Sequence, residues 1–152
     1  MKLYCVYGIV GDNQVVLELE GDNMVREIKT KAPTWEFGAI RGGVVIPWKG
    51  NLLRIFHSRR DGEFSNPRHR YYVGWLVMKK EPPFEILEMC KEPLFAGSEL
   101  DTLDPMDRNN CLQYKKNVAF PGGAIESNGN ILVSVGINDG QCAIVKIPLE
   151  NL

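Results

Sequence analysis

Two side chains in this sequence stand where charge can be held at a defined place. His57 closes the run Leu52-Leu53-Arg54-Ile55-Phe56-His57-Ser58 and is one of only two histidines. It shares the period-two face of Leu53 and Ile55. It is either a hydrogen-bonded, partly buried histidine at a strand end or a ligand group, since imidazole serves as both. Arg41 precedes Gly42-Gly43. Paired glycines let the backbone approach a ligand closely, or make a tight bend against another strand. Tyr72, with Tyr71, Trp75 and Trp48, offers flat faces that stack on a sugar ring or fill a core. The polar segment from Arg59 to Arg70 reads as a loop, suited to gripping a phosphate or acidic sugar, or merely solvated. Asn138-Asp139-Gly140 is a hairpin-turn signature. Glu36 and Glu126 are the carboxylates near the glycine-rich strands. A two-carboxylate glycosidase needs such a pair about 5–10 Å apart.

The elements that must position these residues are strands. Residues 3–10, 14–20 and 24–31 are strand-length runs separated by Gly11-Asp12-Asn13 and Gly21-Asp22-Asn23, the pattern of a β-meander. Residues 52–58, 71–78 and 84–90 follow a glycine-opened strand, and 116–125, 130–138 and 141–147 end the chain. No window of ten residues carries a helical apolar period, so the fold class is all-β. Ile40 to Ser58 has a weaker copy at Phe120 to Asp139, with Gly42-Gly43 and Gly122-Gly123 lying 80 positions apart. Each copy has a glycine pair, an apolar strand, a Gly-Asn turn and another strand. The arrangement predicts a partial β-propeller of about two and a half to three blades in a single domain. Residues 1–33 form an incomplete blade, 34–95 a full one and 115–152 another incomplete one. If residues 3–9 match 52–58, the first blade lacks its innermost strand and the last its outermost. Residues 96–116 are polar and long for a connection.

The bulk numbers are those of one ordinary globular domain: 152 residues, 44% hydrophobic, 24% charged, formal net charge −1. No basic surface for nucleic acid or membrane is expected, and no apolar run is long enough to span a bilayer. The N-terminus has no signal-cleavage pattern. Cys5, Cys90, Cys111 and Cys142 are widely spaced with no CxxC, so a zinc site is not expected. They read as four reduced, mostly buried thiols of a cytoplasmic protein. No metal and no cofactor are expected.

Several ordered motifs bear a resemblance. Phe37-Gly38-Ala39-Ile40-Arg41-Gly42-Gly43, Ile55-Phe56-His57-Ser58, Tyr71-Tyr72-Val73-Gly74-Trp75, Pro82-Pro83-Phe84, Val118-Ala119-Phe120-Pro121-Gly122-Gly123 and Gly136-Ile137-Asn138-Asp139 are involved. Together they resemble the latter part of glycoside hydrolase family 130, the five-bladed propeller clan of mannoside phosphorylases and related glycosidases. That resemblance implies a channel-centred site cleaving β-mannosidic bonds with phosphate. One Asp would donate the proton, and a cluster of Arg, Lys and His would hold the phosphate. It implies that His57 is the phosphate-site histidine and that Asp139 is an acidic residue at the equivalent strand end one blade on. Arg41 would lie in the glycine-rich channel lining. The family's catalytic Asp belongs to an early Glu-Asp-x-Arg segment that has no counterpart here. The expectation is a truncated carbohydrate-active protein lacking the catalytic acid. The alternative is a non-catalytic sugar-binding or protein-interaction module. Arg41, His57, Asp139 and Tyr72 are the expected sugar- or phosphate-binding residues. Open sheet faces at both ends predict self-association, most simply a two-fold dimer.

Overall fold

A computed structural model describes residues 2–61, 69–100, 117–138 and 140–152. The described residues form eleven strands and two single 3-10 turns. They are β1 (Leu3–Val10), β2 (Asn13–Glu20), β3 (Asn23–Lys31), β4 (Ala39–Trp48), β5 (Asn51–Asp61), β6 (His69–Met78), β7 (Ile86–Met89), β8 (Phe95–Ala96), β9 (Ala119–Ser127), β10 (Asn130–Ile137) and β11 (Gln141–Pro148). Three antiparallel sheets result, ordered β1-β2-β3, β4-β5-β6-β7 and β9-β10-β11, and none closes on itself. The all-β expectation therefore holds.

The middle sheet fixes the architecture because both of its faces are apolar. Leu53, Ile55, Phe56, Val73 and Leu76 are fully buried, although a sheet with one wet face would bury only every second residue. Phe56 packs edge-on against Trp35, and Gln14 of β2 reaches Met78 and Phe84, so the first sheet covers one face. Ile131, Val133, Val135 and Ile147 of the third sheet belong to the same continuous core and cover the other. Two-residue hairpins set the register. In Lys49-Gly50 and Asn128-Gly129 both residues have positive φ, as a type I′ turn requires.

One edge of the stack brings β1, β4 and β9 side by side. Each of these strands carries a register shift at a glycine: Val6/Gly8 in β1, Ile40/Gly43 in β4 and Gly123/Pro121 in β9. The glycine pairs of the two sequence copies thus have a third counterpart at Tyr7-Gly8. β1 lies beside β4, as β9 does.

The segment between β5 and β6 also differs from expectation. β5 runs through Asp61 and β6 starts at His69, so Arg59, Arg60 and Arg70 are strand residues rather than loop residues. Residues 62–68 lie outside the description. The outer strand of the middle sheet is split, with β7 pairing the far end of β6 and β8 pairing Tyr72 and Val73. The thiols are not mostly buried: Cys5 and Cys142 are exposed and only Cys90 is buried, while Cys111 falls outside the described residues.

Candidate functional site

The site is built by the bulge in β4. Ile40 pairs with Ser58 and Gly43 with Phe56, so Arg41 and Gly42 together stand opposite His57. Two residues against one is a β-bulge, which bends the strand and re-aims its side chains. Gly43 is required there because a Cβ would overlap the Ile55 carbonyl oxygen and crowd the Phe56 backbone. Gly42 has room for a Cβ, which would come no nearer than 3.8 Å to the His57 ring.

His57 projects from the face of β5 that meets the third sheet. Its ring lies 6.1 Å from Tyr71, near parallel, and 5.3 Å from Phe120, edge-on, with Tyr71 and Phe120 themselves 5.7 Å apart. This three-ring corner removes water from one side of the imidazole. Nδ1 is buried and has no hydrogen-bond partner. Burial, then Arg54, then Arg41, pushes the imidazole down to about 4, against the opposing effect of a hydrogen bond with the Gly42 backbone. His57 is therefore neutral at neutral pH.

Arg54 explains part of that field. It is fully buried on the opposite face of β5, where Nη2 donates to the Arg41 carbonyl at 2.6 Å and Nη1 to Gln14 Oε1 at 3.3 Å. Gln14 in turn donates to the Phe84 carbonyl at 3.1 Å. Among the described residues the hydrogen-bond partners of Arg54 are uncharged, and its Nε has none. Burial lowers the guanidinium to about 10, which leaves it charged at neutral pH. A buried cation without a counter-charge imposes a positive potential on its surroundings, because low-dielectric packing screens it poorly.

The expected binding residues are brought together only in part. Arg41 is exposed and close enough to His57 to act on its charge. Tyr72 pairs with Ser58 and stacks edge-on with Phe37 at 5.2 Å, on the opposite face from His57. Its neighbour Tyr71 takes the place beside the imidazole. Asp139 lies outside the described residues. Glu36 and Glu126 are exposed, and among the described residues the groups that act on His57 include two arginines and no carboxylate. Trp48 and Trp75 are buried core residues. Phe120 was visible in sequence only as part of a glycine-rich motif. Its role depends on the third sheet packing over β5, and no local pattern encodes that. Among the described residues, no group of three or more His, Cys, Asp or Glu side chains is placed to hold a metal ion.

No family model matches the chain, and neither a curated protein nor a solved structure is similar to it.

Proposed function

We propose that the protein binds an anionic carbohydrate of the sugar-phosphate class at the corner formed by Arg41, His57, Tyr71 and Phe120, without cleaving it. In this reading the three stacked sheets are consecutive blades of an open propeller, with β1, β4 and β9 along its channel. One observation carries the proposal: His57, whose Nδ1 has no hydrogen-bond partner, sits opposite the bulge that presents the exposed Arg41. A neutral imidazole has one acceptor nitrogen, and a sugar hydroxyl that displaces the ring packing over His57 Nδ1 would donate to it. An exposed guanidinium pairs with phosphate through two parallel N–H bonds. The Tyr71 ring supplies a face for sugar C–H groups.

The neutral state of His57 changes the role that the family resemblance implies. It acts as an acceptor for a hydroxyl rather than as a cation on phosphate. Catalysis is disfavoured because glycosidic cleavage needs a positioned acid. Glu36 and Glu126 both stand exposed, and neither is among the residues of the corner.

The test is calorimetry with mannose 1-phosphate, mannose and inorganic phosphate, alongside an aryl-mannoside release assay with and without phosphate. The sugar phosphate is expected to bind best, with no aryl release. Arg41→Gln should weaken the two phosphate-containing ligands and leave mannose unchanged, whereas His57→Phe should weaken the two sugars. No heat from any of the three at about 10 mM, a concentration that detects very weak sites, would sink the proposal. Phosphate-dependent aryl release would replace it with an enzyme.

A further inference from the structure

Among the described residues the stack has two unpartnered faces, and the molecule itself contains the contact that fits them. The first sheet packs its Val16 and Gln14 face on one side of the middle sheet, and the third sheet packs its Val133 and Ile147 face on the other. Left over is the opposite face of the first sheet, where Leu3 pairs with Leu19 and Cys5 with Leu17. Left over too is the opposite face of the third, where Ile125 pairs with Leu132 and Ile144 stands one pair along. Leu17, Leu19 and Leu132 on these faces are only partly buried. Leu3, Met24, Ile125 and Ile144 are 45%, 62%, 62% and 67% exposed. Leu3, Leu19 and Met24 form an apolar row across one face and Ile125 and Leu132 an apolar pair on the other, bordered by Glu27, Lys29 and Lys146; apolar clusters left exposed in this way mark contact surfaces.

We infer that these two faces cover each other between two copies of the chain, the first sheet of one copy packing on the third sheet of the other, twice, to close a six-sheet ring. Within one molecule the sheets already stack in this sense at two successive contacts, so the same step continued from the third sheet meets a first sheet. A two-fold axis closes the series after two copies, whereas a rotation that did not close would give a filament. The area is adequate. A face of three strands about 4.8 Å apart and eight residues long measures on the order of 350 Å². Four such faces total roughly 1,400 Å², within the range of stable specific interfaces. The ring also completes the site: Arg41 and His57 of both copies would border one channel, which a single open stack leaves unwalled.

This inference rests on reading the sheets as consecutive blades. Its test is light scattering with analytical ultracentrifugation on the intact chain at about 50 µM, a concentration ordinary for such interfaces. A dimer is expected. Leu3→Glu and Ile144→Glu change exposed positions on the two different faces, and each alone should give a monomer with unchanged circular dichroism. Mixing the two variants should partly restore a dimer, because that pair keeps one intact first-sheet to third-sheet contact. Alkylation of Cys5 and Cys142, one on each face, should slow at least tenfold from monomer to dimer. A wild-type monomer, an open-ended filament, or a dimer broken by only one of the two substitutions would overturn the ring. If sugar-phosphate binding persists in a monomeric wild type, the ring alone has failed. If the dimer forms and no ligand binds, the binding reading alone has failed.

Discussion

Replacing Arg54 by methionine isolates the electrostatic reasoning behind the site. The imidazole of His57 sits at about 4 rather than its ordinary 6.5, first through burial and then through Arg54 and Arg41. That gap corresponds to at most about 3 kcal/mol, and nearer 2 kcal/mol once water reaching the half-buried ring screens the charges. Its sign follows from linkage. The unfolded chain takes up the proton near 6.5 and the folded chain only near 4. The folded state is therefore fully favoured above 6.5 and loses stability as the pH falls from there to about 4. Arg54→Met removes the second cause and keeps the first. The imidazole should then titrate above 4 but still below 6.5, and acid destabilisation across that window should shrink. Proton NMR of the ring Cε1–H reads this directly, since the chain holds only two histidines and His57→Phe assigns them. Gln14→Glu is the companion variant. It places a carboxylate beside Arg54 while keeping the core filled, and should also raise the His57 value. A wild-type His57 that titrates at or above 6.5, or a folded Arg54→Met protein whose His57 does not move, would refute the reasoning.

Other perturbations follow from the same geometry. Gly43→Ala forces a Cβ into the Ile55 carbonyl and should destabilise the protein by about 2–4 kcal/mol in urea unfolding; Gly42→Ala, with open space, should cost far less. Gln14→Leu leaves the Phe84 carbonyl and one Arg54 nitrogen without partners and should cost about 2 kcal/mol by the same measure. Lys2 and Arg26 hold the Glu18 carboxyl below its ordinary 4.5 through direct hydrogen bonds. Both cations are largely exposed, so added salt should weaken the effect. The stabilisation is complete above 4.5 and is lost as the pH falls through the lowered value. Glu18→Gln should therefore flatten the acid limb of the stability curve below pH 4.5, outside most of the His57 window.

The sequence determined the strands. Period-two runs, Gly-Asp and Gly-Asn turns and the absence of a helical period gave eight of the expected runs a strand at nearly the same place, because these signals are local. The glycine pairs at Gly42-Gly43 and Gly122-Gly123 were legible as a repeat, and each falls at a register shift. The Tyr7-Gly8 counterpart was not, since a single glycine in a strand has no distinctive context. Packing decided what each strand touches. A strand has two faces and an edge, and nothing in its own residues says which sheet will lie against which face. That is why Tyr71 rather than Tyr72 joins His57, why β1 lies beside β4, and why Phe120 closes the corner. It is also why Arg54, which reads as an ordinary strand residue, becomes a buried cation whose charge adds to burial in lowering the proton affinity of the histidine three positions on.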